Sequence, residues 1–186
     1  SNICKIRDIL TREGGCIVRK DENWGYYTIN HTELIPCIYD NIEYAADLQL
    51  YKVKKNEKYG YLDNNGTIII PCVYDSIHFL NGGFLTSINN RKGYIQLNGK
   101  ELIPCIYESI WRFITEENQT IRYYVIKDNL HGVLDREGNE FIPCNYEEIR
   151  EWEDCYGIKK NNKWGYLNKE GKEIIPMRGY KTSGCV

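Results

Sequence analysis

Three histidines, eight cysteines and a recurrent aromatic slot carry what chemistry this 186-residue chain has to offer. His31, His78 and His131 fall at three different positions of an internal repeat, so no histidine site recurs with it. No HExxH, GxSxG, phosphate-loop or GxGxxG spacing occurs. No cysteine pair has the C-x2-4-C spacing of a structural zinc site. The expectation is therefore a protein that is not an enzyme and holds no cofactor or metal. A Cys–His dyad assembled in space is the one enzymatic arrangement left open, and nothing favours a particular pair.

Two other groupings could bind. Trp24, Tyr59 and Trp164 occupy one slot of the repeat, shared with Lys92 and His131. Exposed, these rings would form a ladder for stacking a sugar or a base. The favoured alternative is a half-buried packing role, because aromatic side chains dominate cores. Tyr39, Tyr74, Tyr107 and Tyr146 hold a second slot, each before an acid, which suits a buried ring with its hydroxyl at the rim.

The basic residues are ordered locally. Arg19, Lys20, Lys54, Lys55, Lys58, Arg91, Lys92, Lys159, Lys160 and Lys163 gather where one strand turns into the aromatic strand. Stacked copies would align these turns as a positive rim, with Asp40, Asp75, Glu108 and Glu147 elsewhere on each unit. A solvated edge guarded by lysine is the plainer account; binding of a phosphate-rich partner is the sharper one. The candidate binding set is thus Trp24, Tyr59, Lys92, His131 and Trp164 with Lys55, Lys58, Lys160 and Lys163.

These side chains must be positioned by a repeat. KKNEKYGYLDNNGTIIIP, from Lys54 to Pro71, returns as KKNNKWGYLNKEGKEIIP, from Lys159 to Pro176. RKGYIQLNGKELIP, LHGVLDREGNEFIP and ENWGYYTINHTELIP are further copies, and each of the five prolines closes one. Counted from a Cys slot, the copies run 4–36, 37–71, 72–104, 105–143 and 144–176, a period of 33 to 39 residues. The longest copy adds a polar insertion around Thr115 to Thr120.

Inside each copy the apolar period is two. Tyr51, Phe84, Tyr123 and Tyr156 alternate with Val53, Thr86, Val125 and Ile158 across residues of mixed character, which predicts strands with one buried face and one mostly wet face. Short polar turns such as Asn56-Glu57 and Asn161-Asn162, and Gly66, Gly138 or Gly171 in the next turn, suit hairpins with positive φ. Pro removes a ladder donor, so it belongs at a strand end or an edge. A bend and a fourth short strand are expected after the Ile-Pro. The fold class is all-β.

The totals agree. With 24 basic and 26 acidic residues, no overall charge calls for nucleic acid or an anionic membrane. No apolar run nears the roughly 20 residues that span a bilayer. Cys37, Cys72, Cys105 and Cys144 share the slot after Ile-Pro, a full repeat apart, whereas a disulfide needs Cα atoms within about 7 Å. Reduced, buried thiols and a cytoplasmic location are expected. The chain starts Ser1-Asn2 without methionine, which leaves room for a removed targeting signal.

Lys163-Trp164-Gly165-Tyr166, Gly171 and Ile175-Pro176, with Tyr39-Asp40 and Tyr74-Asp75, resemble the WG-repeat (KWG-repeat) family, common in bacteria. The resemblance covers roughly Cys4 to Pro176. It departs at Lys92 and His131 in the Trp slot and at Glu108 and Glu147 in the Asp slot. It implies a tandem β-repeat module and transfers no catalytic residue. One domain of five repeats in a curved, open array is expected, with a closed five-bladed propeller as the alternative. The function expected is recognition of a protein or peptide partner. A small molecule or glycan bound through the aromatic and basic slots is the rival reading.

Overall fold

The period-two pattern becomes twenty strands and no helix among the described residues, which are 5–10, 14–80, 82–114 and 120–178 of this computed structural model. The first sheet comprises β1 (Lys5–Leu10), β2 (Gly15–Lys20), β3 (Asn23–Thr28) and β4 (Glu33–Tyr39). The second comprises β5 (Asn41–Ala45), β6 (Leu50–Lys55), β7 (Lys58–Leu62) and β8 (Ile68–Tyr74). The third has β9 (Ser76–Leu80), β10 (Gly83–Ile88), β11 (Arg91–Gln96) and β12 (Glu101–Tyr107). The fourth has β13 (Ser109–Ile114), β14 (Ile121–Lys127), β15 (Leu130–Leu134) and β16 (Glu140–Tyr146). The fifth has β17 (Glu148–Glu151), β18 (Cys155–Lys160), β19 (Lys163–Asn168) and β20 (Glu173–Arg178). Within each sheet, spatial order follows chain order, so the first and fourth strands are edges.

The second and third strands of each sheet meet at a two-residue turn with both residues at positive φ. These are Asp21-Glu22, Asn56-Glu57, Asn89-Asn90, Asp128-Asn129 and Asn161-Asn162. Such turns match the twist of a hairpin, and Asn and Asp tolerate the left-handed region best. The third and fourth strands are joined by a turn whose first residue caps it: Asp63 accepts the N–H groups of Asn65 and Thr67, both at 2.8 Å.

The Trp-Gly and Ile-Pro-Cys elements explain one another. Tyr59 faces Tyr74 and Tyr61 faces Ile70, so Gly60 alone opposes Pro71, Cys72 and Val73. This is a β-bulge, and it presses on the glycine: a Cβ at Gly60 would lie 2.5 Å from the Ile70 carbonyl oxygen. Gly25 has the same 2.5 Å approach to the Ile35 oxygen. Pro therefore sits inside the fourth strand, at the bulge of an edge strand, where a missing N–H breaks no ladder. The strand runs on past Pro to the Tyr and bends at the acid, so the short strand after the bend opens the next sheet.

Sheets contact face to face through one ring from each. Tyr26 of the first meets Tyr51 of the second at 5.3 Å between centroids, and Tyr61 meets Phe84 at 4.7 Å. Tyr94 meets Tyr123 at 5.4 Å and Phe141 meets Tyr156 at 5.9 Å. The chain divides into two units, residues 1–89 with 95–100 and residues 90–94 with 101–186; the third sheet contributes to both. Cys4, Cys185, most of the Thr115–Thr120 insertion and both chain ends lie outside the described residues. The open-or-closed question depends on those ends.

Candidate functional site

The basic turns come first, since most of the predicted binding residues flank them. Lys55 and Lys58 are cross-strand neighbours on either side of Asn56-Glu57, and Lys160 and Lys163 on either side of Asn161-Asn162. The acids were expected elsewhere on the repeat. They are instead at these same turns, because the bend after the Tyr delivers each one to the hairpin of the following sheet. Asp75 accepts the Asn89 N–H at 2.7 Å, and Glu147 accepts the Asn161 N–H at 2.7 Å. Glu57 and Asn129 donate more loosely to Asp40 and Glu108, each at 3.4 Å.

The acids also take up positive charge. Lys58 pairs with Asp75. Arg91 pairs with Glu108 at 3.1 Å and with Asp128 at 3.6 Å. Lys54 pairs with Glu57 in its own turn. The rim is thus a row of mixed-charge clips with Lys160 and Lys163 left exposed, and a phosphate chain would have to displace carboxylates along it.

The aromatic slot is half-buried in four copies and buried in the fifth. Trp24, Tyr59, Lys92 and His131 are intermediate in exposure and Trp164 is buried. Over three of the rings lies a cation of the same sheet. Arg19 lies 5.5 Å from the Trp24 centroid, Lys52 lies 5.1 Å from that of Tyr59, and Arg150 lies 4.8 Å from that of Trp164. His131 meets Tyr124 edge-on at 5.6 Å, and its Nδ1 is hydrogen-bonded to the Tyr124 hydroxyl. A stacking sugar would have to evict these partners.

Among the tyrosines before the acids, Tyr39, Tyr74 and Tyr107 are buried and Tyr146 is half-buried. The cysteines divide into two groups. Cys16, Cys37, Cys72, Cys105 and Cys144 are half-buried thiols; the last four were expected to be buried, but the bulge lifts their slot towards the surface. Burial still raises the Cys72 and Cys144 thiols above the ordinary value, which makes them poor nucleophiles. Cys155 is disulfide-bonded, whereas the expectation of reduced thiols concerned the slot cysteines. It lies outside the Ile-Pro-Cys slot, so the repeat-spacing argument never applied to it. No group of three or more metal-binding side chains occurs among the described residues.

Two features escaped sequence reasoning. The residue after the slot cysteine, Ile38, Val73 or Ile106, is apolar yet exposed. Its signal was present in the period-two pattern, which inverts at the bulge. The second is in the fifth sheet, where Trp152 folds back over Gly157 and lies 5.9 Å from Tyr166. Gly157 stands in a slot filled elsewhere by Lys52, Leu85 or Tyr124, and that unusual glycine was the clue.

No helix is long and apolar enough to cross a membrane among the described residues. No curated protein matches the chain. Among solved structures it is similar to Hsv2 of Kluyveromyces lactis (9% identity, TM-score 0.34, covering 88% of this chain and 61% of that one). It is also similar to a eukaryotic initiation factor (14%, TM-score 0.36, 94% and 55%) and to a protein from Bacteroides caccae (12%, TM-score 0.29, 94% and 81%). The chain spans about three fifths of the length of the first of these. The model of the WG containing repeat matches five times, over residues 24–59, 59–86, 93–130, 132–164 and 164–178. With those matches running along the length of the five sheets, the chain belongs to the family of WG containing repeats.

Proposed function

We propose that this chain is a non-enzymatic scaffold that recognises a protein or peptide partner. The observation that carries this reading is the repeated exposure of an apolar residue on successive edge strands. Ile38 on β4 is 43% exposed and Val73 on β8 is 45% exposed, at the same slot of two adjacent sheets in one unit. Single exposed apolar residues need no explanation, but repetition at one slot gives a partner a regular set of apolar contacts. The cations over Trp24, Tyr59 and Trp164 weigh against the glycan reading, since they cover the faces a sugar would use.

The test compares immobilised wild-type protein with an Ile38→Asp/Val73→Asp variant that keeps its circular dichroism spectrum and melting temperature. Proteins captured by the wild type and lost from the variant support the reading. Capture that is unchanged, or specific binding on a glycan array in place of protein capture, would overturn it.

A further inference from the structure

The fourth repeat departs from the others at positions that meet in space. Its aromatic slot holds His131, the ring two residues on is replaced by Val133, and the residue paired with Val133 is Tyr124. In three other sheets the corresponding rings, Tyr26, Tyr61 and Tyr166, are buried and pair with Ile17, Lys52 and Gly157. The ring has thus moved from the third strand to the second, where it packs against the apolar contact between the fourth and fifth sheets.

The Tyr124 hydroxyl joins two partners there. It is hydrogen-bonded to Nδ1 of His131, and it accepts the backbone N–H of Ile149 on β17. That N–H points away from its own ladder. Trp152 donates to the Cys155 oxygen at 2.9 Å, so by the alternation of an antiparallel pair Arg150 and Glu148 face β18 and Ile149 faces outward. Burial raises the Tyr124 phenol above the ordinary value of 10.0, so it carries its proton at neutral pH. With its oxygen accepting from Ile149, that proton goes to His131. The network therefore assigns Nδ1 as the acceptor nitrogen of a neutral imidazole.

We propose that His131 and Tyr124 form a proton-operated latch between the fourth and fifth sheets, which sets the position of the exposed Trp111 ring. A second proton on the imidazole turns Nδ1 from acceptor into donor. The phenol oxygen then faces two N–H groups, with its own proton in the way of one of them, so either His131 or Ile149 is released and the ring turns. Trp111 is 52% exposed and lies 5.9 Å from Tyr124, so it moves with that ring. The titratable groups around the latch are Tyr146, opposite His131 on β16, and Glu148, whose charge reaches Tyr124 from β17. Glu148 is itself paired with Arg150 at 2.6 Å. This inference does not rest on recognition through Ile38 and Val73.

The test is NMR of the whole chain between about pH 8 and pH 5, which brackets the range where histidine changes charge. Fluorotryptophan reports on Trp111, assigned with Trp111→Phe. In wild type the His131 imidazole, the Ile149 amide and the Trp111 fluorine signals should move together with one midpoint. His131→Asn places an oxygen where Nδ1 stood and does not titrate, so the Ile149 and Trp111 signals should lose that movement. Tyr124→Phe should let His131 titrate while Ile149 and Trp111 no longer follow it. Movement that persists in His131→Asn would overturn the proposal and assign the response to a carboxylate such as Glu148. Ile149 and Trp111 signals that stay still while wild-type His131 takes up its proton would overturn it. So would an imidazole that does not titrate while the fold persists, or movement that coincides with loss of the circular dichroism spectrum.

Discussion

The Asn89 backbone N–H donates to one oxygen of the Asp75 carboxylate at 2.7 Å, while the Lys58 ammonium donates to the other. One side chain thus holds a turn of the third sheet against a strand of the second. Arg91, Glu108 and Asn129 repeat the arrangement one repeat later.

Lys58, and then the Asn89 N–H, hold the Asp75 carboxyl below the ordinary aspartate value of 3.8. Its contribution to stability is therefore fully present above that value and fades as pH falls through the lower folded value. Carboxyl NMR titration should find the Asp75 midpoint below those of unpaired aspartates, and Lys58→Ala should raise it. A midpoint indifferent to Lys58→Ala would show that the pair does not persist in solution. Asp75→Ala should lower the melting temperature at neutral pH and change it less at acid pH.

Gly60→Ala should cost about 1–3 kcal/mol, the scale of overpacking, because the new Cβ meets backbone that cannot swing away. Gly165→Ala should cost less: its Cβ would come 3.0 Å from the Ile175 oxygen and 2.9 Å from the flexible Met177 side chain. Equal costs in urea unfolding would mean that the bulges are equivalent. In both cases the contact lies within one sheet.

Tyr156 should ionise late. Burial, and then the neighbouring Glu151, push its hydroxyl up to about 12 from the ordinary 10.0. A phenol whose folded value is raised stabilises the fold fully below pH 10, and that contribution is lost as pH climbs towards 12. Absorbance titration near the phenolate band should show one late-ionising tyrosine fewer in Tyr156→Phe than in wild type, and Tyr156→Phe should flatten stability across that window.

The strands, their alternation and both classes of turn were legible because each depends on local chemistry: Asn56-Glu57 can be read as a left-handed hairpin from its residues alone. The position of Asp75 was not legible, since the bend that carries it to Asn89 depends on how one sheet follows another. The bulge was half-legible. Pro71 announced an edge, but the three-to-one register that makes Gly60 obligatory appears only when the strands pair. Cys155 stands outside the Ile-Pro-Cys slot, so the repeat spacing said nothing of its pairing.

Trp152→Ala should uncover Tyr166 and cost less than the roughly 3–5 kcal/mol of a fully buried aromatic, because Trp152 is only half-buried. Urea unfolding measures it, and a neutral result would show that the ring does not stay over Gly157. Gly157→Ala should displace the same ring, since a Cβ there would lie 2.3 Å from it, and should red-shift tryptophan emission.

On the proposed reading, the proline bulge also decides how a partner would read the outer strands. Adding a strand requires an unbroken row of amide donors and carbonyl acceptors at a flat edge. On β8 that row is interrupted at Pro71 and kinked by the two residues after it. An incoming peptide finds no template there to extend, and neither does a misfolded neighbour. Sequence specificity at this edge must therefore come from side chains such as Val73, with little main-chain affinity beneath it. That favours contacts that are individually weak and become selective by being repeated.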